Sequence, residues 1–110
     1  MDARAKRIGQ NEALFREVNE RVRDVTAGFG GTFDDAEFVC ECGDRGCTAR
    51  IRVPLRDYER VRGDGALFLI KGGHEIPDVE DVVEEHETYA VVRKRAGDPA
   101  ALARQADPRG

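Results

Sequence analysis

The chain has no tryptophan and no serine, and aromatic residues make up 6% of its 110 positions. Without serine, the candidate hydroxyl nucleophiles are Thr26, Thr32, Thr48 and Thr88, and none of them sits in a nucleophile elbow. Hydrophobic residues reach 40% of the chain. A domain of this size with so few rings buries a modest core, so a metal staple would matter to its stability. No apolar run is long enough to cross a membrane, and no apolar signal core follows Met1–Arg7. A phosphate-cradling G-x-x-x-x-G-K-[ST] loop is missing. The glycine-rich stretch Gly28-Phe29-Gly30-Gly31 follows a helical pattern rather than a strand, and reads as a helix stop.

Cysteine is scarce and odd in number, with three in the chain. Complete internal pairing is therefore impossible. With no leader segment evident, the expected compartment is the cytoplasm, where thiols stay reduced and metal binding is favoured over disulfides.

What the chain has in abundance is charge, at 36% of residues, with a formal net charge of −4. An acidic balance argues against a general nucleic-acid binder. The charge is unevenly spread. Arg45 to Arg62 holds six arginines against Asp57 and Glu59, whereas His74 to Thr88 holds seven acids and no Lys or Arg. These segments are expected either to pair with each other or to offer a polar face to a protein partner.

Leu14, Val18, Val22 and Val25 recur at helical spacing, with Phe15 and Phe29 on the flanks, and predict a core-facing helix from about Asn11 to about Ala27. Its start is open to extension toward Asp2, with Gly9 as a weak point, and Gly28, Gly30 and Gly31 are its stop signals. Strands are expected at Glu37–Cys40 and Ala49–Val53, joined by a Gly43-Asp44-Arg45-Gly46 turn. Ile51 and Val53 point one way there, and Arg50 and Arg52 the other. Pro54 opens a helix that turns Leu55, Tyr58 and Val61 inward and stops at Gly63. Ala66–Ile70 reads as a central strand, Pro77 as the start of a short helix bearing Val79, Val82 and Val83, and Thr88–Arg93 as a last strand. The expectation is one α+β domain over 1–95: a long N-terminal helix on a small, mostly antiparallel sheet, with one or two short helices. The remainder, 96–110, is expected to be a flexible tail, although Asp98-Pro99 has the makings of a helix start.

The feature with chemical content is Phe38-Val39-Cys40-Glu41-Cys42-Gly43-Asp44-Arg45-Gly46-Cys47, followed later by Gly72-Gly73-His74-Glu75. A structural zinc site takes four ligands in a tetrahedron with Zn–S near ~2.3 Å, which places neighbouring sulfurs roughly 3.7 Å apart. Cys40 and Cys42 lie on one face of a regular strand but too far apart, so the strand has to bend at Glu41. Three thiolates leave an excess negative charge, which backbone N–H groups and Arg45 or Arg50 are expected to offset. His74, on a Gly-Gly hinge, is the expected fourth ligand, and His86, after an acidic stretch, is its rival.

Two alternatives use the same cysteines. One is a thiol redox protein, although no Lys or His adjoins the pair to lower a thiol pKa. The other is a zinc enzyme with Glu41 or Glu75 as base, which would need an open coordination position. The deaminase pattern H-x-E followed by P-C-x-x-C is absent.

Residues 8–95 resemble a family of small uncharacterised actinobacterial proteins. The likeness rests on Asn11-Glu12-Ala13-Leu14-Phe15-Arg16-Glu17-Val18-Asn19-Glu20-Arg21, the F-V-C-E-C-x4-C motif ending at Cys47, Tyr58-Glu59-Arg60-Val61-Arg62, and the downstream Gly73-His74-Glu75. The resemblance implies no activity. Its G-H-E motif supports His74 over His86, while Gly72-Gly73 departs from the Pro-Gly step of that family. The resulting expectation is a zinc-stapled cytoplasmic domain, with Zn2+ on Cys40, Cys42, Cys47 and His74, acting as a protein-interaction or regulatory module rather than as an enzyme.

Overall fold

The computed structural model describes residues 3–28 and 35–109. Helix α1 spans Ala3–Ala27 and so begins well ahead of Asn11. The amide of Gly28 closes its last turn on the Asp24 carbonyl at 3.0 Å. A start near Asp2, Phe29 on the helix flank, and Gly30 and Gly31 as stops all fall outside the described residues. Gly9 is not a weak point. A Cβ there would collide with the Leu102 side chain, so the missing side chain lets the C-terminal helix approach.

Strands β1 (Asp35–Val39) and β2 (Arg50–Pro54) form an antiparallel hairpin in which Phe38 pairs with Ile51 and Ala36 with Val53. Ile51 and Val53 are buried and Arg50 and Arg52 exposed, as the alternation requires. Pro54 ends β2 and caps α2 (Leu55–Arg62), whose Tyr58 and Val61 turn into the core. The Tyr58 ring stacks on Phe38, centroids 4.3 Å apart.

A second antiparallel sheet holds β3 (Leu67–Ile70), β4 (Glu80–Glu85) and β5 (Ala90–Lys94) in the order β3-β5-β4. The architecture is α+β, with two small sheets where one was expected. The central strand is β5, not β3. All of β3 is nonetheless buried, because both its faces are packed, Leu67 and Leu69 with Phe38, Tyr58 and Val61, and Phe68 and Ile70 with Cys40, Cys42 and Val92. Glu41 bonds its free edge: the Glu41 amide donates to the Leu69 carbonyl (2.8 Å), and the Leu69 amide donates to Glu41 Oε1 (2.9 Å).

Two further expectations are corrected. The segment after Pro77 makes one turn, with the Val79 amide on the Ile76 carbonyl, and then becomes β4 rather than a helix. Its β-branched pair Val82-Val83 favours a strand, and a bulge between Val82 and Glu84 breaks the alternation. Past Ala96 the chain forms α3 (Asp98–Gln105), with Pro99 in its first turn and Ala100 and Ala103 buried.

The largest correction concerns which face of α1 is inside. The buried residues of α1 are Ile8, Glu12, Arg16 and Asn19, whereas Leu14, Val18 and Val25 are exposed. Of the expected stripe, Val22 alone packs against the core, and it does so half-buried. Specific polar partners hold the inverted face. Arg16 donates to the Gly65 carbonyl (2.8 Å) and the Ala103 carbonyl (2.6 Å), and its guanidinium lies 4.5 Å from the Phe68 centroid. Lys94 Nζ stands 2.7 Å from a Glu12 oxygen and 2.9 Å from a Glu80 oxygen. Polar residues with such partners are tolerated in a core.

Candidate metal centre

The end of β1 changes partner at each residue. The Cys40 amide still bonds across the hairpin to the Ala49 carbonyl (3.0 Å), while the next amide, that of Glu41, turns to Leu69 in the other sheet. This switch is the bend that brings Cys40 and Cys42 to one side. Glu41 is fully buried, and both its carboxylate oxygens are occupied: Oε1 by the Leu69 amide and Oε2 by Asn19 Nδ2 at 2.8 Å. Asn19 also accepts from the Val39 amide and donates to the Val39 carbonyl, both at 2.9 Å. The link between the cysteines is therefore anchored to both sheets and to α1. Sequence reading treated Glu41 as a candidate base and missed this role.

The return to Cys47 is a turn ordered by Asp44. Its side chain accepts from the Gly46 amide (2.9 Å) and its carbonyl from the Cys47 amide (3.0 Å). Asn11 of α1 holds the same loop through the Gly43 carbonyl (3.0 Å).

His74 arrives on a turn after β3. The His74 amide bonds to the Lys71 carbonyl at 3.0 Å, and Gly73 takes φ +88° at the third position of that turn. A positive φ there is what glycine supplies without strain. The ring then places Nδ1 3.6 Å from Cys40 Sγ and 3.6 Å from Cys47 Sγ. One ligand atom from each of Cys40, Cys42, Cys47 and His74 falls within 4.8 Å of all the others. Cys40 and Cys42 are buried; Cys47 and His74 are half-buried. All three cysteines are free thiols. This group could hold a metal ion.

His86 lies elsewhere. Its Nε2 is 2.8 Å from Glu84 Oε1, and its ring stacks on Tyr89 with centroids 4.4 Å apart. No family model, curated protein or solved structure matches the chain.

Backbone amides supply the electrostatic balance. The Lys71 amide donates to Cys40 Sγ at 3.2 Å. A hydrogen bond from the Cys42 thiol, opposed by burial and aided by Lys71, holds Cys40 below the ordinary thiol pKa. Cys42 is pushed up, because ionising it breaks that bond to Cys40 and leaves a desolvated charge; the Asp44 amide and His74 oppose the rise. Arg45 and Arg50 are exposed and make no hydrogen bond to the sulfurs among the described residues. Nor do the basic and acidic segments neutralise each other throughout. Arg60 and Glu84 form a two-pronged pair at 2.7 and 2.8 Å, but Arg45, Arg50 and Arg56 have no ion-pair partner among the described residues. Among those residues, no helix is long and apolar enough to cross a membrane.

Proposed function

We propose that Cys40, Cys42, Cys47 and His74 bind one structural Zn2+, and that the metal ties the hairpin to the turn after β3 in a small cytoplasmic interaction module. The observation that carries this reading is the pair of 3.6 Å distances from His74 Nδ1 to Cys40 Sγ and Cys47 Sγ. A tetrahedron with Zn–S of about 2.3 Å and Zn–N of about 2.0 Å has S···N edges of about 3.5 Å. Three soft thiolates with one imidazole suit zinc, and four protein ligands close the site, as structural sites do. Binding free energy at such a site becomes folding free energy, since segments far apart in sequence are brought together.

Metal analysis of the purified protein tests the ligand set. Wild type should carry about one zinc per chain, as a single tetrahedral site requires. Cys40→Ser and His74→Ala should lose it, and His86→Ala should keep it. Retention by His74→Ala would overturn the assignment.

The enzyme alternative has one observation in its favour: a Glu75 carboxylate oxygen is buried with no hydrogen-bond partner among the described residues. A redox role is separated by alkylation at neutral pH. Zinc-bound thiolates react slowly, and a free low-pKa cysteine reacts fast.

A further inference from the structure

Helix α1 shows solvent the residues that a helix ordinarily hides. Leu14 is 57%, Val18 39% and Val25 64% exposed, while Glu12, Arg16 and Asn19 are fully buried. The three apolar residues lie along one line of the helix, at spacings that put side chains above one another. Among the described residues this stripe stays exposed, and contiguous exposed apolar surface marks an interaction site. Glu17 and Arg21 border it. Both are exposed, and neither has an ion-pair partner among the described residues.

We propose that a second copy of this chain covers the stripe, α1 against α1, antiparallel about a two-fold axis. The stripe is close to symmetric about its midpoint. Laying Leu14 on Val25 of the second copy sets Val18 against Arg21 and Val22 of that copy. Glu17 then falls beside its Arg21, and Arg21 beside its Glu17. Each helix thus supplies the acid of one ion pair and the base of the other, the self-complementarity that a two-fold contact requires. A parallel two-fold would carry Glu17 and Arg21 of the two copies to opposite sides of the contact and form neither pair, so the charge order selects the antiparallel arrangement. The stripe runs roughly 16 Å at the helical rise per residue. A groove whose walls include Phe15, Val18, Val39 and Ala49 alongside Cys40 and Cys47 of the metal site flanks it and widens the contact. An unrelated partner would have no reason to match this symmetry.

Sedimentation velocity on the metal-loaded full chain, over roughly 1–300 µM, tests the proposal across the affinity range of standard-sized interfaces. Wild type should show a reversible monomer–dimer equilibrium. Val18→Glu at the centre should weaken it about 30-fold or more. Glu17→Arg and Arg21→Glu should each weaken it by about 5-fold, and the double variant should recover the wild-type value. A wild type that stays monomeric throughout overturns the proposal. So does a dimer indifferent to Val18→Glu, or a double variant no better than its parents. Zinc content and circular dichroism of the same samples keep a failure of this interface distinct from a failure of the metal assignment.

Discussion

Nδ1 of His74 stands 3.6 Å from Sγ of Cys40, across 34 positions of sequence. Bringing an imidazole to a thiol over that separation closes a long loop, and under the proposed function a shared cation rewards the closure. Chelation of the metal from wild type should therefore lower stability by about 2 kcal/mol or more, a fall in Tm of about 10 °C for a domain of this size. His74→Ala should start from the lowered Tm and respond no further to chelator. Calorimetry with and without chelator checks both. An unchanged wild-type Tm would show that the thiols and ring are packed together without a metal.

Glu41 and Leu69 join the two sheets through a charged acceptor and a backbone donor 2.9 Å apart. Glu41→Gln keeps the shape but places an amide NH2 against either the Leu69 amide or Asn19 Nδ2, both of which donate. A buried donor facing a donor costs about 1–3 kcal/mol. Urea unfolding should show that loss. Zinc competition should show weaker binding as well, because the residue fixes the angle between Cys40 and Cys42. Asn19→Ala should reproduce both effects in milder form. Full zinc affinity in Glu41→Gln would mean that the bend is set elsewhere.

Gly72 and Gly73 both face open space, and a Cβ at either would meet no atom within 4 Å. They differ in backbone. Gly73 has φ +88°, and Gly72 lies outside that region. Gly73→Ala should cost about 1–2 kcal/mol and weaken metal binding, since relaxing the turn moves His74. Gly72→Ala should be close to neutral, within about 0.5 kcal/mol. Equal effects in paired urea titrations would rule out the left-handed turn as the device that aims the ring.

The site and the scaffold were legible in the sequence to different degrees. The hairpin, the alternation of Ile51 and Val53, and the Pro54 entry to α2 could be read because each rests on local pattern. The convergence of Cys40, Cys42, Cys47 and His74 could be read because metal chemistry narrows the choice of residue types. The orientation of α1 could not. Periodicity identifies a helix and its apolar stripe, but it gives no reason to bury Arg16, whose partners are the carbonyls of Gly65 and Ala103. Those acceptors exist only once β3 and α3 are in place. The central position of β5 was hidden for a similar reason. The apolar run of β3 looked central because both its faces are buried, and they are buried by two core clusters while Glu41, through its amide and its carboxylate, bonds the free edge at Leu69.

The Glu12–Lys94–Glu80 cluster sets two carboxylates against one ammonium inside the protein. Burial, first, raises the Glu12 pKa to about 8, with Glu80 adding to the rise and Lys94 opposing it. In the unfolded chain the group titrates near 4.5. Between those values the folded state holds a proton that the unfolded state has released, so stability falls as pH rises through the window. The contribution is whole below about pH 4.5 and is lost as pH climbs through about 8. Glu12→Gln removes the titration and leaves Lys94 and Glu80 as a balanced pair. Its Tm should decline less than that of wild type between about pH 6 and pH 9, and should equal or exceed the wild-type value at the upper end. Lys94→Met leaves the buried Glu80 carboxylate without its cation and should cost about 3–5 kcal/mol at neutral pH. Parallel slopes for wild type and Glu12→Gln would mean that Glu12 is already ionised in the fold, held so by the ammonium 2.7 Å away.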